Sequence, residues 1–282
     1  MWVYDLNPVL VDLGPLEIRW YGLVYVLGFL LGVWWLNRVA AQGKLAISKD
    51  EVWDLLLYLI IGVLVGARLF MVFWNPEIYL LHPFNLLKIW EGGMSFHGGF
   101  LGIITAAWLY CRKKKLNFWT VADVLSVPAI LALALGRIAN FINGELIGRI
   151  WNGSWCVVFP EYGEACRHPN MIYSALQRLV VFGWLLWISA KNEFRPGQVT
   201  GVRDLSFTPF RPGFIFWNFV FWEGIGRIIV DFFREDILYG GFSLGQWFSL
   251  VMVIVAVIVF ARRYREDWKG LLMPKSLLTG QK

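Results

Sequence analysis

The sequence predicts an all-α integral membrane protein with seven transmembrane helices and a small external loop region, its N-terminus outside and its C-terminus cytoplasmic. Three observations predict it. Of 282 residues, 58% are hydrophobic and only 16% are charged, where a soluble domain carries about 25% charged residues. Mean hydropathy is +0.56, and apolar runs recur at about 20 residues, the length that crosses roughly 30 Å of hydrocarbon. Lys and Arg gather in alternate connections. Residues 1–282 therefore read as one membrane-embedded domain.

The expected spans are Ile18–Val39, Val52–Trp74, Gly98–Cys111, Val121–Ile142, Met171–Ser189, Phe214–Phe233 and Gly245–Ala261. The third is short for a full crossing and is completed by residues before His97 or by a small tilt. Arg38, Lys44 and Lys49 follow the first span, and Arg112, Lys113, Lys114 and Lys115 follow the third. Lys191, Arg195, Arg203 and Arg211 follow the fifth, and Arg262, Arg263, Arg265, Lys269, Lys275 and Lys282 form the tail. The intervening connections are poor in positive charge, with Lys88 alone after the second span and nothing basic before Arg19. Positive loops stay cytoplasmic, and an odd number of spans agrees with that orientation. The net charge of +6 thus reports topology, with added attraction to anionic lipid. It does not call for nucleic acid. The N-terminus lacks a basic n-region, which argues against a cleaved signal peptide.

The longest external connection, about residues 143–170, is rich in Gly, Trp and turn residues, and the run Trp151–Phe159 suggests a strand hairpin in a small head. Cys156 and Cys166 lie there, in a compartment where disulfides persist. Spacing leaves both a bridge and two free thiols open. Cys111, at a cytoplasmic end, is expected to stay reduced. Gly92, Gly93, Gly98, Gly99 and Gly102 surround His97, a density that permits unusual backbone angles and close approach of a ligand or second helix.

The informative residues are charges inside spans: Arg68, Arg137, Arg178, Arg227, Asp123, Glu223 and Asp231. Each costs on the order of 3 kcal/mol at mid-bilayer, so each needs a partner or a task. Glu223, Arg227 and Asp231 are spaced i, i+4, i+8 on one helical face. Glu223 is therefore expected to pair with Arg227 or to take up a proton. Arg137 has no acid on its own helix until Glu145. Arg137 and Asn140 share a face, and Asn143 and Gly144 are helix-ending residues. An arginine keeps its proton and presents a planar fork that fits phosphate oxygens. His82, His97 and His168 lack metal-ligand spacing, and no nucleotide-binding loop is present.

Several stretches carry a family resemblance: Trp20-Tyr21-Gly22, Gly66-Ala67-Arg68-Leu69, His97-Gly98-Gly99-Phe100-Leu101-Gly102, the run Gly136 to Arg149, His168-Pro169 with Tyr173, Arg227, Asp231-Phe232-Phe233-Arg234 and Gly245-Gln246. With these in order, the chain resembles the bacterial prolipoprotein diacylglyceryl transferases over essentially its whole length, most specifically in Gly136–Arg149. The resemblance implies a multi-pass enzyme of the bacterial cytoplasmic (inner) membrane whose site faces outward. It implies transfer of diacylglyceryl from phosphatidylglycerol to the lipobox cysteine of a preprolipoprotein signal peptide. A thioether forms and glycerol phosphate leaves, without a cofactor or metal.

The residues fit that chemistry. The leaving phosphate ester needs its charge held, which fixed cations do best in a low-dielectric site; Arg137 and Arg227 are expected to do so. The thiol must become a thiolate, and His97 is the expected base, with ordering of its Gly-rich turn as the plainer role. Tyr21, Arg68, Asn140, Asn143, Glu145, Gly148 and Asp231 complete the expected substrate-binding set, Glu145 by holding an arginine in place. Two departures touch the site. Glu223 stands where the family usually has tyrosine, and Asn170-Met171-Ile172-Tyr173-Ser174 replaces the usual run after His168-Pro169. A divergent non-catalytic phospholipid-binding paralogue is one alternative. A lipid transporter is another, though it would show internal repeats and broken helices, which this sequence does not.

Overall fold

The computed structural model describes residues 2–14, 17–88, 93–191, 193–194, 207–208 and 210–272. Of the expected loop and tail cations, Arg195, Arg203, Lys275 and Lys282 lie outside these residues, as does Gly92. Nine helices appear among the described residues: α1 (Trp20–Ala41), α2 (Lys49–Trp74), α3 (Pro76–Leu81), α4 (Phe96–Lys114), α5 (Phe118–Ile142), α6 (Asn170–Lys191), α7 (Phe214–Asp231), α8 (Leu244–Arg263) and α9 (Arg265–Leu272). Five of them, α1, α2, α5, α6 and α8, are long and apolar enough to cross a membrane. Helices also occupy the two other expected spans. α7 carries Glu223, Arg227 and Asp231, and α4 ends in Arg112, Lys113 and Lys114.

The chain divides into two compact units, with the division falling inside α1 and again inside α5. One unit takes Leu36–Val121. Its α2 starts with a capping box in which Ser48 accepts from the Glu51 amide and Glu51 accepts from the Ser48 amide, which satisfies two donors that a helix start otherwise leaves open. Tyr110 of α4 donates to the Glu51 carbonyl at 2.6 Å, and Lys114 pairs with Glu51 at 3.2 Å and Asp54 at 3.3 Å. Between those ends, α2 and α4 meet through glycines. A Cβ at Gly102 would lie 2.0 Å from the Gly62 carbonyl oxygen, and one at Gly98 would lie 2.3 Å from that of Gly66. Of the glycines around His97, Gly98 and Gly102 bring in the second helix, because only small residues let membrane helices touch backbone to backbone. Gly102→Ala is therefore expected to force the helices apart, an overpacking cost of about 1–3 kcal/mol. Thermal unfolding in detergent reads this; an unchanged midpoint would contradict the contact.

The other unit holds the first part of α1, most of α5, α6, α7, α8, α9 and a small β head. Its helical core is aromatic and aliphatic: Ile130, Leu185, Ile188, Phe210, Phe214 and Tyr264 are almost wholly buried. Pro128 sits inside α5 and cannot donate to the Val124 carbonyl one turn earlier. The Trp35 indole of α1 supplies that missing donor at 2.9 Å. Buried Asp123 of α5 caps α7 by accepting from the amides of Gly213 and Phe216, both at 2.7 Å. That capping role accounts for one of the expected intramembrane charges.

The head is a three-stranded sheet in the order β1 (Trp2–Val3), β4 (Val157–Val158), β5 (Cys166–Arg167). β1 runs parallel to β4, and β4 antiparallel to β5. Three further antiparallel pairs join β2 (Val9–Asp12) with β3 (Glu17–Arg19), β6 (Glu193–Phe194) with β7 (Phe207–Thr208) and β8 (Leu238–Tyr239) with β9 (Phe242–Ser243). The hairpin expected within Trp151–Phe159 is shifted. Its strands are 157–158 and 166–167, and the N-terminal strand supplies a second neighbour for β4 from far away in sequence. Cys156 and Cys166 are bridged beside this sheet with Cα atoms 5.5 Å apart, an ordinary span for a disulfide. Both thiols are expected to resist alkylation in the denatured, unreduced chain, and Cys156→Ser to cost about 2–4 kcal/mol. Ready alkylation of either cysteine rules the bridge out.

Candidate functional site

α5 ends where the signature run begins to turn. Gly144 adopts φ +69°, a left-handed angle that favours glycine at a helix end, and the Glu145 amide turns back to the Asn140 carbonyl at 2.9 Å. This return places Glu145 beneath the last turn of α5. Its carboxylate collects the Asn140 amide at 2.9 Å and the Asn143 amide at 3.2 Å. Asn140 Oδ1 in turn accepts from Arg137 at 3.5 Å. Glu145 thus holds Arg137 through Asn140 rather than directly. The short spacing from Arg137 to Glu145 encodes this local network.

Arg178, Arg227 and Arg234 lie close enough to act electrostatically on Arg137, as does the Glu223 carboxylate. These arginines differ in how far they are committed. Arg178 of α6 is buried, donates to the Ser174 carbonyl at 3.0 Å and to the Ser174 hydroxyl, and pairs with Glu223 of α7. Arg234 pairs with Asp236 at 3.3 Å. Arg227 meets Asp231 at 3.5 Å across one helical turn, and Asp231 also accepts from Ser243 at 3.5 Å. Gly245 leaves room for that pair, since a Cβ there would stand 2.7 Å from Asp231 Oδ2. For Arg137, the 3.5 Å contact with Asn140 is its one hydrogen bond among the described residues.

This arrangement corrects the expectation that Glu223 pairs with Arg227. Glu223 turns instead to Arg178 on the neighbouring helix, leaving Arg227 to Asp231. A reading by i, i+4 spacing sees only partners on the same helix. Arg178 was visible as a charge inside a span, but nothing local in the sequence names its partner.

Gly148, expected among the substrate-binding residues, has a packing role. A Cβ there would lie 2.3 Å from the His168 carbonyl oxygen and 2.8 Å from that of Phe233, so the head and the end of α7 meet over it. Nearby, His168 stacks on Trp151 with centroids 4.4 Å apart and contacts Tyr173 and Phe233 edge-on. Its Nδ1 lies 3.2 Å from the Tyr173 hydroxyl, which also accepts from the Trp155 indole at 2.7 Å. Burial holds the His168 pKa below its ordinary value, which favours the neutral imidazole. Sequence reasoning had not assembled this aromatic group, since its members come from three segments.

Of the remaining expected residues, Tyr21 opens α1 and packs edge-on against Tyr25 at 5.1 Å. Arg68 belongs to the unit of α2 and α4, and it was expected to bind substrate. Its terminal nitrogens contact Tyr79 Oη at 3.3 Å, the Gly93 carbonyl at 3.1 Å and the Lys88 carbonyl. His97 lies in the first turn of α4, and its side chain is outside the described residues. Among the described residues no group of three or more His, Cys, Asp or Glu is placed to hold a metal ion.

Residues 8–262 match the family model described as prolipoprotein diacylglyceryl transferase. Proteins named phosphatidylglycerol–prolipoprotein diacylglyceryl transferase are similar over most of their length. One from Geobacter sulfurreducens is 40% identical over 268 residues, covering 92% of this chain and 97% of the relative. One from Rickettsia akari is 41% identical over 258 residues, covering 89% and 94%. One from Vibrio cholerae is 39% identical over 269 residues, covering 93% of each.

Proposed function

The chain belongs to the prolipoprotein diacylglyceryl transferase family, and from that premise we propose that it transfers diacylglyceryl from phosphatidylglycerol to the lipobox cysteine of a preprolipoprotein. One observation carries the assignment of roles. Arg178 is locked to Glu223 and Ser174, whereas among the described residues Arg137 and Arg227 are held by contacts of 3.5 Å. Two oriented guanidinium groups with spare N–H donors suit a phosphate diester whose leaving oxygen gains charge.

In the reaction, the cysteine thiol gives its proton to His97, and the sulfur attacks the glyceryl carbon bonded to phosphate. The carbon–oxygen bond breaks, a carbon–sulfur bond forms, and glycerol phosphate departs with the electron pair. Arg137 and Arg227 hold that charge. Glu145 and Asn140 keep Arg137 in place, Asn143 shares the Glu145 carboxylate, and Asp231 orients Arg227. Tyr21, at the start of α1, lines the approach of lipid or peptide.

Seven crossings suit this reading, with α4 and α7 added to the five apolar helices. The basic ends Arg38, Arg112, Lys113, Lys114, Arg262 and Arg263 then face the cytoplasm. The Cys156–Cys166 bridge and Arg137–Glu145 face outward, where disulfides persist and exported precursors emerge. On this reading the protein works in the bacterial cytoplasmic membrane. Purified protein given labelled phosphatidylglycerol and a lipobox peptide is expected to yield thiol-linked lipid and free glycerol phosphate in equal amounts. Lipid binding without either product would instead support the non-catalytic paralogue.

A further inference from the structure

We propose that Arg68 is a positioning residue for His97, clamping the chain that enters α4 onto α2. The inference rests on the reading of His97 as the thiol's base. Three consecutive residues of α2 grip this segment. A Cβ at Gly98 would meet the Gly66 carbonyl oxygen at 2.3 Å, so the first turn of α4 lies directly on Gly66. The Ala67 carbonyl accepts the Ser95 amide at 3.1 Å. The Arg68 guanidinium donates to the carbonyls of Gly93 and Lys88 and to Tyr79 Oη. Ser95 in turn caps α4 by accepting the Gly98 amide at 3.3 Å. His97 stands between the gripped residues Ser95 and Gly98.

The chemistry explains why a cation is kept there. Arg68 is 5% exposed, a costly place for a charge within a span. Backbone outside a helix at membrane depth must find partners for its carbonyls. One guanidinium reaches carbonyls on both sides of residues 89–92, which a compact ammonium cannot do with the same fork. Gly93 has φ +68°, and a Cβ there would stand 3.0 Å from Tyr79 Oη and 3.3 Å from Arg68. With both terminal nitrogens engaged by protein, Arg68 is poorly placed to hold a lipid phosphate as well.

Arg68→Lys and Arg68→Ala are tested with phosphatidylglycerol and a lipobox peptide, alone and combined with His97→Gln. A displaced base lowers kcat by about 100-fold while KM for phosphatidylglycerol stays within about twofold. Arg68→Lys is expected to slow His97→Gln no further, because both changes act on one step. Hydrogen–deuterium exchange at residues 95–99 is expected to quicken in Arg68→Lys, which reads the clamp even if Arg68→Ala fails to fold. A raised KM with unchanged kcat, additive losses, or unchanged exchange at 95–99 each overturns the proposal. If His97→Gln turns over like the parent protein, His97 is not the base and its proposed role falls; the exchange measurement still decides whether Arg68 clamps the turn.

Discussion

Arg137→Ala is expected to lower turnover by about 10²–10³-fold in a protein that still folds. Arg137 has a single 3.5 Å hydrogen bond to Asn140 among the described residues, so truncating it strands few protein partners. The loss falls on the reaction, where the leaving phosphate ester would lose a fixed donor. Arg137→Lys is expected to be impaired as well, since an ammonium keeps the charge but loses the planar fork. Asn140→Ala and Glu145→Gln are expected to give smaller losses, because they loosen the orientation of Arg137 without removing it. Initial rates of thioether formation, with unfolding midpoints measured alongside, separate these cases. Near-parental turnover by well-folded Arg137→Ala would remove the phosphate clamp.

The helical frame was legible because a bilayer forces each crossing to be one continuous apolar run, so a hydropathy reading locates it directly. The expected spans 52–74 and 121–142 lie within α2, Lys49–Trp74, and α5, Phe118–Ile142. The network from Arg137 to Glu145 was legible for a related reason, since all its members fall in one helix end and the turn after it. What escaped is what joins distant segments. The head strand β4 pairs with Trp2–Val3, and no local pattern in Trp151–Phe159 announces a partner so far away. Arg68 reaches Gly93, and the Trp35 indole completes a carbonyl freed by Pro128 on another helix. In each case the sequence exposes a polar group that needs a partner without naming it.

Glu223 is where that limit has the largest energetic consequence. Glu223 and Arg178 are both buried and paired across α6 and α7, so removing one partner leaves the other as an uncompensated charge. Glu223→Leu is expected to destabilise the protein by about 3–5 kcal/mol. Glu223→Tyr is expected to destabilise it less, because the hydroxyl can still accept from Arg178. Replacing both residues by apolar ones of similar volume, as Arg178→Met with Glu223→Leu, is expected to recover most of the loss, since a buried ion pair often contributes little against good packing. That double variant also decides a point of mechanism. With His97 as the thiol's base and Arg137 and Arg227 on the phosphate, it should keep turnover within about tenfold of the parent, the residual coming from repacking beside the arginines. A folded double variant that binds phosphatidylglycerol yet forms no thioether would show that the Arg178–Glu223 pair takes part in the reaction, and the assignment of the chemistry to His97, Arg137 and Arg227 would fall.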